Sequence, residues 1–202
     1  MNFMILLKVI DMILNETNYL NYDFTGKIII FPTDTVYGIG CLYDNIESIK
    51  KIYEIKNRDY NKPMVILCAN LKQVYSLIKK GQVIPQYLQK YWPGKLTIIF
   101  FKNESVYDII TSNRNTVGIR IPGNKISLKI LEKYGPMVVT SLNLSNQAPI
   151  TKYKDALKFH DKVDYIIQGE DLYELPSTVY DLTQKKVLRQ GGVVVIQGEY
   201  YD

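Results

Sequence analysis

Short apolar runs alternate with amphipathic helical patterns along nearly the whole chain, and this alternation limits the fold more than any other feature. Eight runs predict strands: Lys27–Phe31, Pro63–Cys68, Leu96–Phe101, Thr116–Ile121, Met137–Thr140, Asp164–Ile167, Ser177–Asp181 and Val187–Arg189. Six predict helices: Ile5–Asn15, Ile46–Lys56, Leu71–Lys79, Pro85–Tyr91, Ile126–Tyr134 and Tyr153–Phe159. This order predicts an α/β fold with a twisted, mixed parallel and antiparallel open sheet and flanking helices.

The length and the N-terminal pattern predict one domain in the cytoplasm. The 202 residues contain no linker, repeat or low-complexity block, so we expect a single domain over residues 1–202. The apolar N-terminal segment is too short to span a bilayer and lacks the basic start and small-residue cleavage site of a signal peptide. Cys41 and Cys68 lie beside apolar runs and are expected to be reduced and buried. We therefore expect no membrane partner.

The charge balance and the absent motifs exclude several classes of site. A net charge of +5 and a pI of about 8.9 permit an anionic ligand such as a nucleotide or RNA. The single histidine, His160, excludes a multi-histidine metal site and argues against a Ser-His-Asp triad. No P-loop motif is present, and the pair Gly38 and Gly40 lacks the third glycine of a dinucleotide-binding fingerprint. We expect no metal site made by the protein.

The segment Phe31–Gly40 (FPTDTVYGIG) combines a strand end with hydroxyls and glycines. Thr33 and Thr35 follow the predicted strand at the point where it opens into a loop. Gly38 and Gly40 let other groups approach the backbone closely. Open α/β sheets bind ligands at strand ends of this kind. A strand and turn without a ligand explains the same residues equally well, so the segment alone leaves both interpretations open.

Three cations lie between a predicted helix and the strand that begins at Pro63. A helix C-terminus attracts cations by about 0.3–1 kcal/mol each, which explains Lys56. It explains Arg58 and Lys62 less well. Arginine holds phosphate oxygens in pairs and lysine acts as a point charge, so this cluster suits a phosphate group.

Two further arginines and one polar segment also indicate a site. Arg120 lies in an apolar strand, where a cation is costly unless it is paired or bound to an anion. Arg189 lies in the last predicted strand, just before a glycine pair. Residues 140–147 (TSLNLSNQ) follow another strand, where hydroxyls and amides serve either as caps and turns or as the polar wall of a site.

Seven motifs in one order resemble the YrdC family of L-threonylcarbamoyladenylate synthases. They are PTDTVYGIG, K-N-R with the following K-P, WPGKLT, TVGIR, TSLN, PSTV and VLRQGG, and they span about residues 27–193. The resemblance implies the short, single-domain form of the family, with a large concave cavity. It also implies a reaction in which L-threonine and bicarbonate or CO2 form a carbamate that attacks the α-phosphate of ATP. The products would be pyrophosphate and threonylcarbamoyl-AMP, which supplies the t6A modification at adenosine 37 of certain tRNAs.

The resemblance also implies roles for individual residues. The implied catalytic residues are Lys56, Arg58, Ser141 and Asn143. The implied ATP-binding residues are Arg58, Lys62, Thr116, Asn143 and Arg189. The implied threonine-binding residues are Thr35, Arg120, Ser141 and Ser177, with Arg120 on the carboxylate. Lys56 would stabilise charge near the α-phosphate. Mg²⁺ would arrive with ATP, held largely by phosphates and water, and downstream threonylcarbamoyl transferases and tRNA would be further partners.

Three positions depart from the family pattern, and two other functions compete. Asp59 replaces the proline that often follows K-x-R. Leu67 replaces a histidine that some members use toward threonine, and Leu142 is bulkier than the usual residue and is expected to reshape the pocket floor. The main alternative is a double-stranded RNA- or tRNA-binding module without catalysis. A carbamoyl-adenylate domain of the hydrogenase-maturation type is disfavoured by the short chain and its two cysteines.

Overall fold

A sheet of ten strands forms the centre of the computed structural model, which describes residues 12–196. The strands are β1 Ile13–Leu14, β2 Ile29–Pro32, β3 Tyr37–Leu42, β4 Val65–Leu67, β5 Leu96–Phe101, β6 Thr116–Arg120, β7 Met137–Ser141, β8 Tyr165–Ile167, β9 Thr178–Asp181 and β10 Lys186–Arg189. The α-helices are α1 Ile46–Ile55, α2 Leu71–Tyr75, α3 Gln86–Gln89, α4 Asp108–Thr111, α5 Lys125–Tyr134 and α6 Tyr153–Ala156. Short 3₁₀ helices lie at Tyr19–Asn21 and Leu157–Phe159.

The sheet is mixed and open, as the alternation of elements predicts. Its strand order is β1-β8-β2-β3-β7-β4-β6-β5-β9-β10. The pairs β1–β8, β8–β2, β4–β6 and β5–β9 are parallel, and the other neighbours are antiparallel. The predicted fold class is therefore confirmed.

The two faces of the sheet are covered unequally. Leu96, Ile98 and Phe100 of β5 point into the larger hydrophobic cluster, which also holds buried residues of α1, α2, α3, α4 and α6. On the other face, Ile130 and Leu131 of α5 pack in a second cluster with residues of β2, β4 and β7. Because α5 covers only that part of its face, the surface over β5, β6 and β9 stays open as a concavity.

Gly38 and Gly40 of the FPTDTVYGIG segment lie in a strand that the sequence pattern did not predict. They belong to β3, which pairs with both β2 and β7. A Cβ atom at Gly40 would lie 2.6 Å from the carbonyl oxygen of Val138 in β7, so this glycine lets two strands approach closely. Gly38 lines the cavity described below.

The predicted N-terminal helix Ile5–Asn15 differs from the structure at Ile13 and Leu14, whereas Met12 is helical and residues 5–11 lie outside the described part. Ile13 and Leu14 form β1, parallel to β8. Leu14 is fully buried, and its carbonyl accepts a 2.7 Å hydrogen bond from the backbone N–H of Gln168. Strand pairing in the sheet overrides the helical spacing of these apolar residues.

The second predicted helix that differs is Leu71–Lys79, which ends at Tyr75. Ile78 forms a bridge to Lys102, and the backbone N–H of Lys79 donates to the carbonyl of Phe101 over 2.9 Å, so the chain leaves the helix to pair with the end of β5. Helix α4 is short and was not predicted.

Two expectations about cysteines and membranes can be compared with the described residues. Cys41 and Cys68 are free and buried, as predicted, and burial raises the pKa of the Cys41 thiol to about 12. Between residues 12 and 196, none of the helices has the length and apolar character that crossing a bilayer requires.

Candidate active site

A cavity of about 470 Å³ lies on the same face of the sheet as α5, over the part of that face that the helix does not cover. Four arginines contribute to its wall: Arg58, Arg114, Arg120 and Arg189. Eight hydroxyl residues also line it: Thr33, Thr35, Thr97, Thr111, Thr116, Thr140, Ser141 and Ser177. Among residues 12–196, none of those that line the cavity is Asp or Glu. A wall that carries arginines and hydroxyls without a carboxylate is suited to an anionic ligand.

The electrostatics of the cavity favour such a ligand. Burial lowers the pKa of Arg58, Arg120 and Arg189, which means that removal from water disfavours their charged forms. An anion bound among them would offset that cost, because each guanidinium would gain a charged hydrogen-bond acceptor.

Arg120 at the end of β6 is held from three sides. Its Nε donates to the carbonyl of Gly94 over 2.9 Å, and its Nη1 donates to Oγ1 of Thr35 over 3.2 Å. Its Nη2 donates to Oδ1 of Asp34, and the two side chains form a buried ion pair. A guanidinium has five N–H donors, so two remain for a ligand. The pairing that a cation inside a strand requires is therefore supplied by Asp34, which lies between Thr33 and Thr35 in the sequence.

Arg189 at the end of β10 is fixed by Ser177, the residue just before the neighbouring strand β9. Its Nε and Nη2 donate to the carbonyl of Ser177 over 3.1 and 2.7 Å, and Nη2 also reaches Oγ of Ser177 over 3.2 Å. Oγ of Ser177 in turn shares a 2.9 Å hydrogen bond with Oγ1 of Thr97. A Cβ at Gly191 would lie 2.1 Å from the carbonyl oxygen of Pro176, so the loop after Arg189 packs directly on this segment.

The end of helix α1 separates Lys56 from Arg58. Asn57 has a positive φ of 48°, the backbone N–H of Arg58 donates to the carbonyl of Tyr53, and that of Asn57 donates to the carbonyl of Glu54, both over 2.9 Å. These two bonds form a Schellman motif, which reverses the chain at the helix end. Arg58 lines the cavity, and it uses Nε and Nη2 to hold the carbonyls of Lys62 and Pro63.

Lys56 lies behind the cavity wall and is not among the residues that line it. It is 1% exposed, and its ammonium donates to the carbonyl of Ser141 and to both the carbonyl and Oδ1 of Asn143, the last two over 2.7 and 3.0 Å. All three of its N–H donors are thus engaged. Burial lowers the pKa of Lys56 to about 7, and the nearby charge of Arg58 adds to the decrease.

The hydrogen bonds from Lys56 hold the S-x-N segment, Ser141 to Asn143, in place. Oγ of Ser141 donates to Oδ1 of Asn143 over 2.7 Å, and Nδ2 of Asn143 donates to the carbonyls of Leu144 and Gln147, both over 2.9 Å. Ser141 lines the cavity. The side chain of Asn143 does not line it, because its hydrogen bonds go to Lys56, to Ser141 and to the carbonyls of its own loop. Leu142 is fully buried in the larger core cluster and does not line the cavity, so the expected change of the pocket floor is wrong for Leu142.

Seven of the ten residues that the sequence singles out line the cavity: Thr35, Arg58, Thr116, Arg120, Ser141, Ser177 and Arg189. Lys56, Lys62 and Asn143 do not line it. Lys62 is exposed, and its ammonium lies 3.4 Å from Oδ1 of Asn146, a residue of the loop that follows Asn143. The roles that the resemblance implies for these ten residues stay predictions.

The structure also adds residues that sequence reasoning missed. Thr97 contacts Ser177, and the carbonyl of Gly94 holds Arg120; both residues belong to the motif WPGKLT, which therefore contained a signal. Asp34, the partner of Arg120, stands inside PTDTVYGIG. Arg114 lines the cavity but precedes the motif TVGIR, and no pattern pointed to it.

Within the described part of the chain, the cavity lining contains no Asp or Glu and therefore offers a Mg²⁺ ion no carboxylate ligand. Residues 12–196 also contain no group of three or more His, Cys, Asp or Glu side chains that could hold a metal ion. Hydroxyl and backbone oxygens alone do not make a dedicated site, so Mg²⁺ would have to come with a nucleotide whose phosphates and waters supply the ligands.

Comparison with known proteins identifies the family. A family model named Sua5/YciO/YrdC, with the description "Telomere recombination", matches residues 24–191. The chain belongs to this family. Within this Sua5/YciO/YrdC chain, the matched region contains every strand except β1 and every residue of the cavity wall.

Relatives of this Sua5/YciO/YrdC chain include proteins named threonylcarbamoyl-AMP synthase. One from Pyrococcus abyssi is 36% identical over 174 residues, which are 83% of this chain and 51% of that protein, so the chain spans about half the length of that relative. One from Vibrio campbellii is 30% identical over 83% of this chain and 94% of that protein. The crystal structure of P. abyssi Sua5 complexed with L-threonine superposes with a TM-score of 0.81 at 33% identity, covering 90% of this chain and 57% of that one.

Proposed function

We propose that this protein is an L-threonylcarbamoyladenylate synthase, which converts L-threonine, bicarbonate or CO2 and ATP to threonylcarbamoyl-AMP and pyrophosphate. The observation that carries the proposal is the convergence of four arginines and eight hydroxyl residues on one cavity, to which residues 12–196 contribute no carboxylate. Both substrates are anionic where they react: threonine has a carboxylate and gains a carbamate, and ATP has a triphosphate. The synthase names of the relatives and the threonine-bound Sua5 structure support the same function.

The threonine carboxylate would be bound by Arg120. The two free N–H donors of its guanidinium suit the two oxygens of a carboxylate, and Asp34 and Gly94 keep the group from rotating away. Hydroxyls of Thr35 and Ser177 lie beside the two arginines at this end of the cavity and can hydrogen-bond the threonine side chain or the carbamate.

Arg58, Arg189 and Thr116 would bind the ATP phosphates. Arg58 retains three N–H donors and Arg189 retains two after their contacts with the protein are counted. The carbamate is itself the nucleophile, so the protein needs no serine or cysteine to form a covalent intermediate. Its contribution would be to align carbamate and α-phosphate and to neutralise charge as the P–O bond to pyrophosphate breaks. Mg²⁺ bound to ATP would supply further charge neutralisation.

The apolar part of the wall would protect the carbamate. Val65, Leu67, Ile99 and Val179 line the cavity between the polar groups. Carbamates lose CO2 readily in water, and a partly apolar pocket limits the number of water molecules around the reacting atoms. Leu67, which stands where some members have histidine, belongs to this apolar surface.

The same proposal covers the partners and the cell compartment. The threonylcarbamoyl group would pass to downstream transferase proteins and then to adenosine 37 of tRNA, in the cytoplasm. Direct binding of tRNA by this chain is the basis of the competing function, an RNA-binding module without catalysis. The ligand-sized cavity favours the synthase, because an RNA-binding surface has no need for a pocket whose wall gathers hydroxyls and arginines.

The test is the release of pyrophosphate from ATP, Mg²⁺ and bicarbonate, with and without L-threonine. We expect threonine-dependent release by the wild type and at least a 100-fold lower rate for Arg58→Ala, because charge neutralisation at a transferred phosphoryl group is worth several kcal/mol. Lys80→Ala, an exposed lysine outside this cavity, is the control and should keep the wild-type rate. Tight RNA binding with no pyrophosphate under any condition would instead support the binding module.

A further inference from the structure

Arg114 is the one arginine of the cavity wall to which neither the motifs nor the proposed reaction assigns a role. Its side chain is exposed and lines the cavity together with Thr111 and Thr116. Among residues 12–196, no hydrogen bond or ion pair engages its guanidinium, whereas Arg58, Arg120 and Arg189 are each held by protein carbonyls. All five of its N–H donors are therefore available to a ligand.

The backbone around Arg114 is held in an uncommon conformation. Ser112 and Asn113 have positive φ angles of 54° and 60°, in the left-handed region that residues with a Cβ adopt at a cost. Thr111 closes the turn: its Oγ1 donates to the carbonyl of Arg114 over 2.9 Å, and its carbonyl accepts from the N–H of Arg114 over 3.2 Å. The turn thus fixes the point from which the arginine extends.

This turn is joined to the loop that carries Arg58. Oγ of Ser112 donates to the carbonyl of Tyr60 over 2.6 Å, and the backbone N–H of Met64 donates to the carbonyl of Ile110 over 2.9 Å. The hydroxyl of Tyr53 lies within 3.2 Å of the carbonyl of Lys62 and within 3.0 Å of that of Ile109. Arg58 and Arg114 therefore extend from one connected part of the wall, at the same end of the cavity.

We propose that Arg114 binds the terminal phosphates of the nucleotide, so that with Arg58 it holds the pyrophosphate portion of ATP. This rests on the proposed function. A free, exposed guanidinium at the cavity rim suits the part of the nucleotide that leaves as a product, because it can follow the pyrophosphate toward solvent. The arginines at the other end, Arg120 and Arg189, are already oriented by Asp34 and Ser177 and lie beside the hydroxyls expected at threonine.

The test compares Arg114→Gln with the wild type by calorimetric titration of Mg²⁺-ATP, pyrophosphate and AMP, together with the Michaelis constants for ATP and threonine. Losing one charged hydrogen-bond donor should weaken ATP and pyrophosphate binding by about tenfold. AMP affinity and the Michaelis constant for threonine should stay within twofold, because neither ligand carries the terminal phosphates. Arg114→Lys should recover part of the affinity, since it keeps the charge but loses the planar fork.

The matched control is Lys80→Gln, which removes one exposed positive charge away from this cavity. Thermal melting should show that both variants fold as the wild type does. Equal weakening of AMP and ATP, or equal effects of Arg114→Gln and Lys80→Gln, would overturn the inference. If the wild type binds ATP through Arg114 but releases no threonine-dependent pyrophosphate, the proposed reaction fails and the inference stands. If the wild type is active and Arg114→Gln binds normally, the inference alone fails.

Discussion

Lys56 and Arg58 are two residues apart in one motif, yet they lie in two different regions. Lys56 lies behind the cavity wall, and Arg58 lies on it. Lys56 is buried behind the cavity, with all three donors engaged by the segment from Ser141 to Asn143. Arg58 faces the cavity and gives two of its five donors to its own loop. The first cation supports the wall of the site, and the second has capacity left for a ligand.

The difference shows how to separate a supporting cation from a binding one. The number of N–H donors that the protein already engages, together with burial, orders the cations by how much stability we expect to be lost when each is substituted. Arg120 and Lys56 rank highest, Arg189 is intermediate and Lys62 is lowest. The same count gives the capacity left for a ligand: Lys56 has no free donor, Arg120 and Arg189 have two each, and Arg58 has three.

The largest expected effect is that of Arg120→Met. The substitution removes three hydrogen bonds and leaves Asp34 buried without its ion-pair partner, so we expect the free energy of unfolding to fall by about 3–5 kcal/mol. Urea denaturation measures the loss. Asp34→Asn, which keeps an oxygen acceptor for the guanidinium, should cost less. If Arg120→Met costs under 1 kcal/mol, the cation is not held by the protein as described.

The next effect is that of Lys56→Met, and it depends on pH. Removing three hydrogen bonds to buried oxygens should cost about 2–3 kcal/mol at pH 7. The pKa of Lys56 is about 7 in the folded protein and near its ordinary 10.5 when unfolded. Between these values the unfolded chain binds more protons, so the wild type gains stability as pH rises, by at most about 1.4 kcal/mol per pH unit.

Lys56→Met lacks this gain. The stability difference between wild type and variant should therefore grow by about 2 kcal/mol from pH 7 to pH 9, as measured by denaturation at several pH values. Subtracting the variant removes the contribution of other titrating groups. A difference that is constant with pH would mean that the lysine keeps its ordinary pKa, and that it is better hydrated than its burial indicates.

A smaller effect on folding is expected for Arg189→Gln. Arg189 lies in an exposed strand, but its three hydrogen bonds to Ser177 are partly buried, so the loss of stability should be about 1 kcal/mol. Its two free donors predict a larger change in binding, of about tenfold in ATP affinity. Calorimetry measures the change in ATP affinity, and thermal melting of the same sample measures the change in stability. A large loss of stability with unchanged ATP affinity would mean that Arg189 supports the wall of the site, as Lys56 does, and does not bind the nucleotide.

The smallest effect is that of Lys62→Gln. The side chain is exposed, its single contact with Asn146 is 3.4 Å long, and it does not line the cavity. The free energy of unfolding should change by less than about 0.5 kcal/mol. ATP affinity decides its role: a tenfold loss would support the phosphate contact that the resemblance implies, and a change within twofold would exclude it.

The alternation of elements was sufficient to predict a mixed open sheet, but local patterns could not predict pairing across the sheet. β1 has only two residues, and its apolar spacing is equally compatible with a helix; only its partner β8 decides between them. β3 was missed: its two glycines indicated a close approach to the backbone, and only the structure shows that the approaching group is the neighbouring strand β7. Both errors concern contacts between residues that are far apart in sequence.

The candidate site was predictable where motifs carry it, and less so where the fold brings residues together. Arg120 was singled out because a cation in an apolar strand needs a partner, and its partner Asp34 is 86 residues away. Lys56 was assigned to the phosphates because K-x-R reads as one basic cluster. The Schellman turn at Asn57 that separates the two cations is a backbone feature that residue type alone does not specify.

The measurement that tests this distinction most directly is ATP titration and thermal melting of Lys56→Met and Arg58→Gln side by side. The account predicts that Arg58→Gln weakens ATP binding about tenfold and shifts the melting temperature by less than about 3 °C. It predicts that Lys56→Met lowers the melting temperature by about 5–10 °C while ATP affinity stays within about threefold. Loss of ATP binding by Lys56→Met at an unchanged melting temperature would contradict it, and would place the lysine at the phosphates.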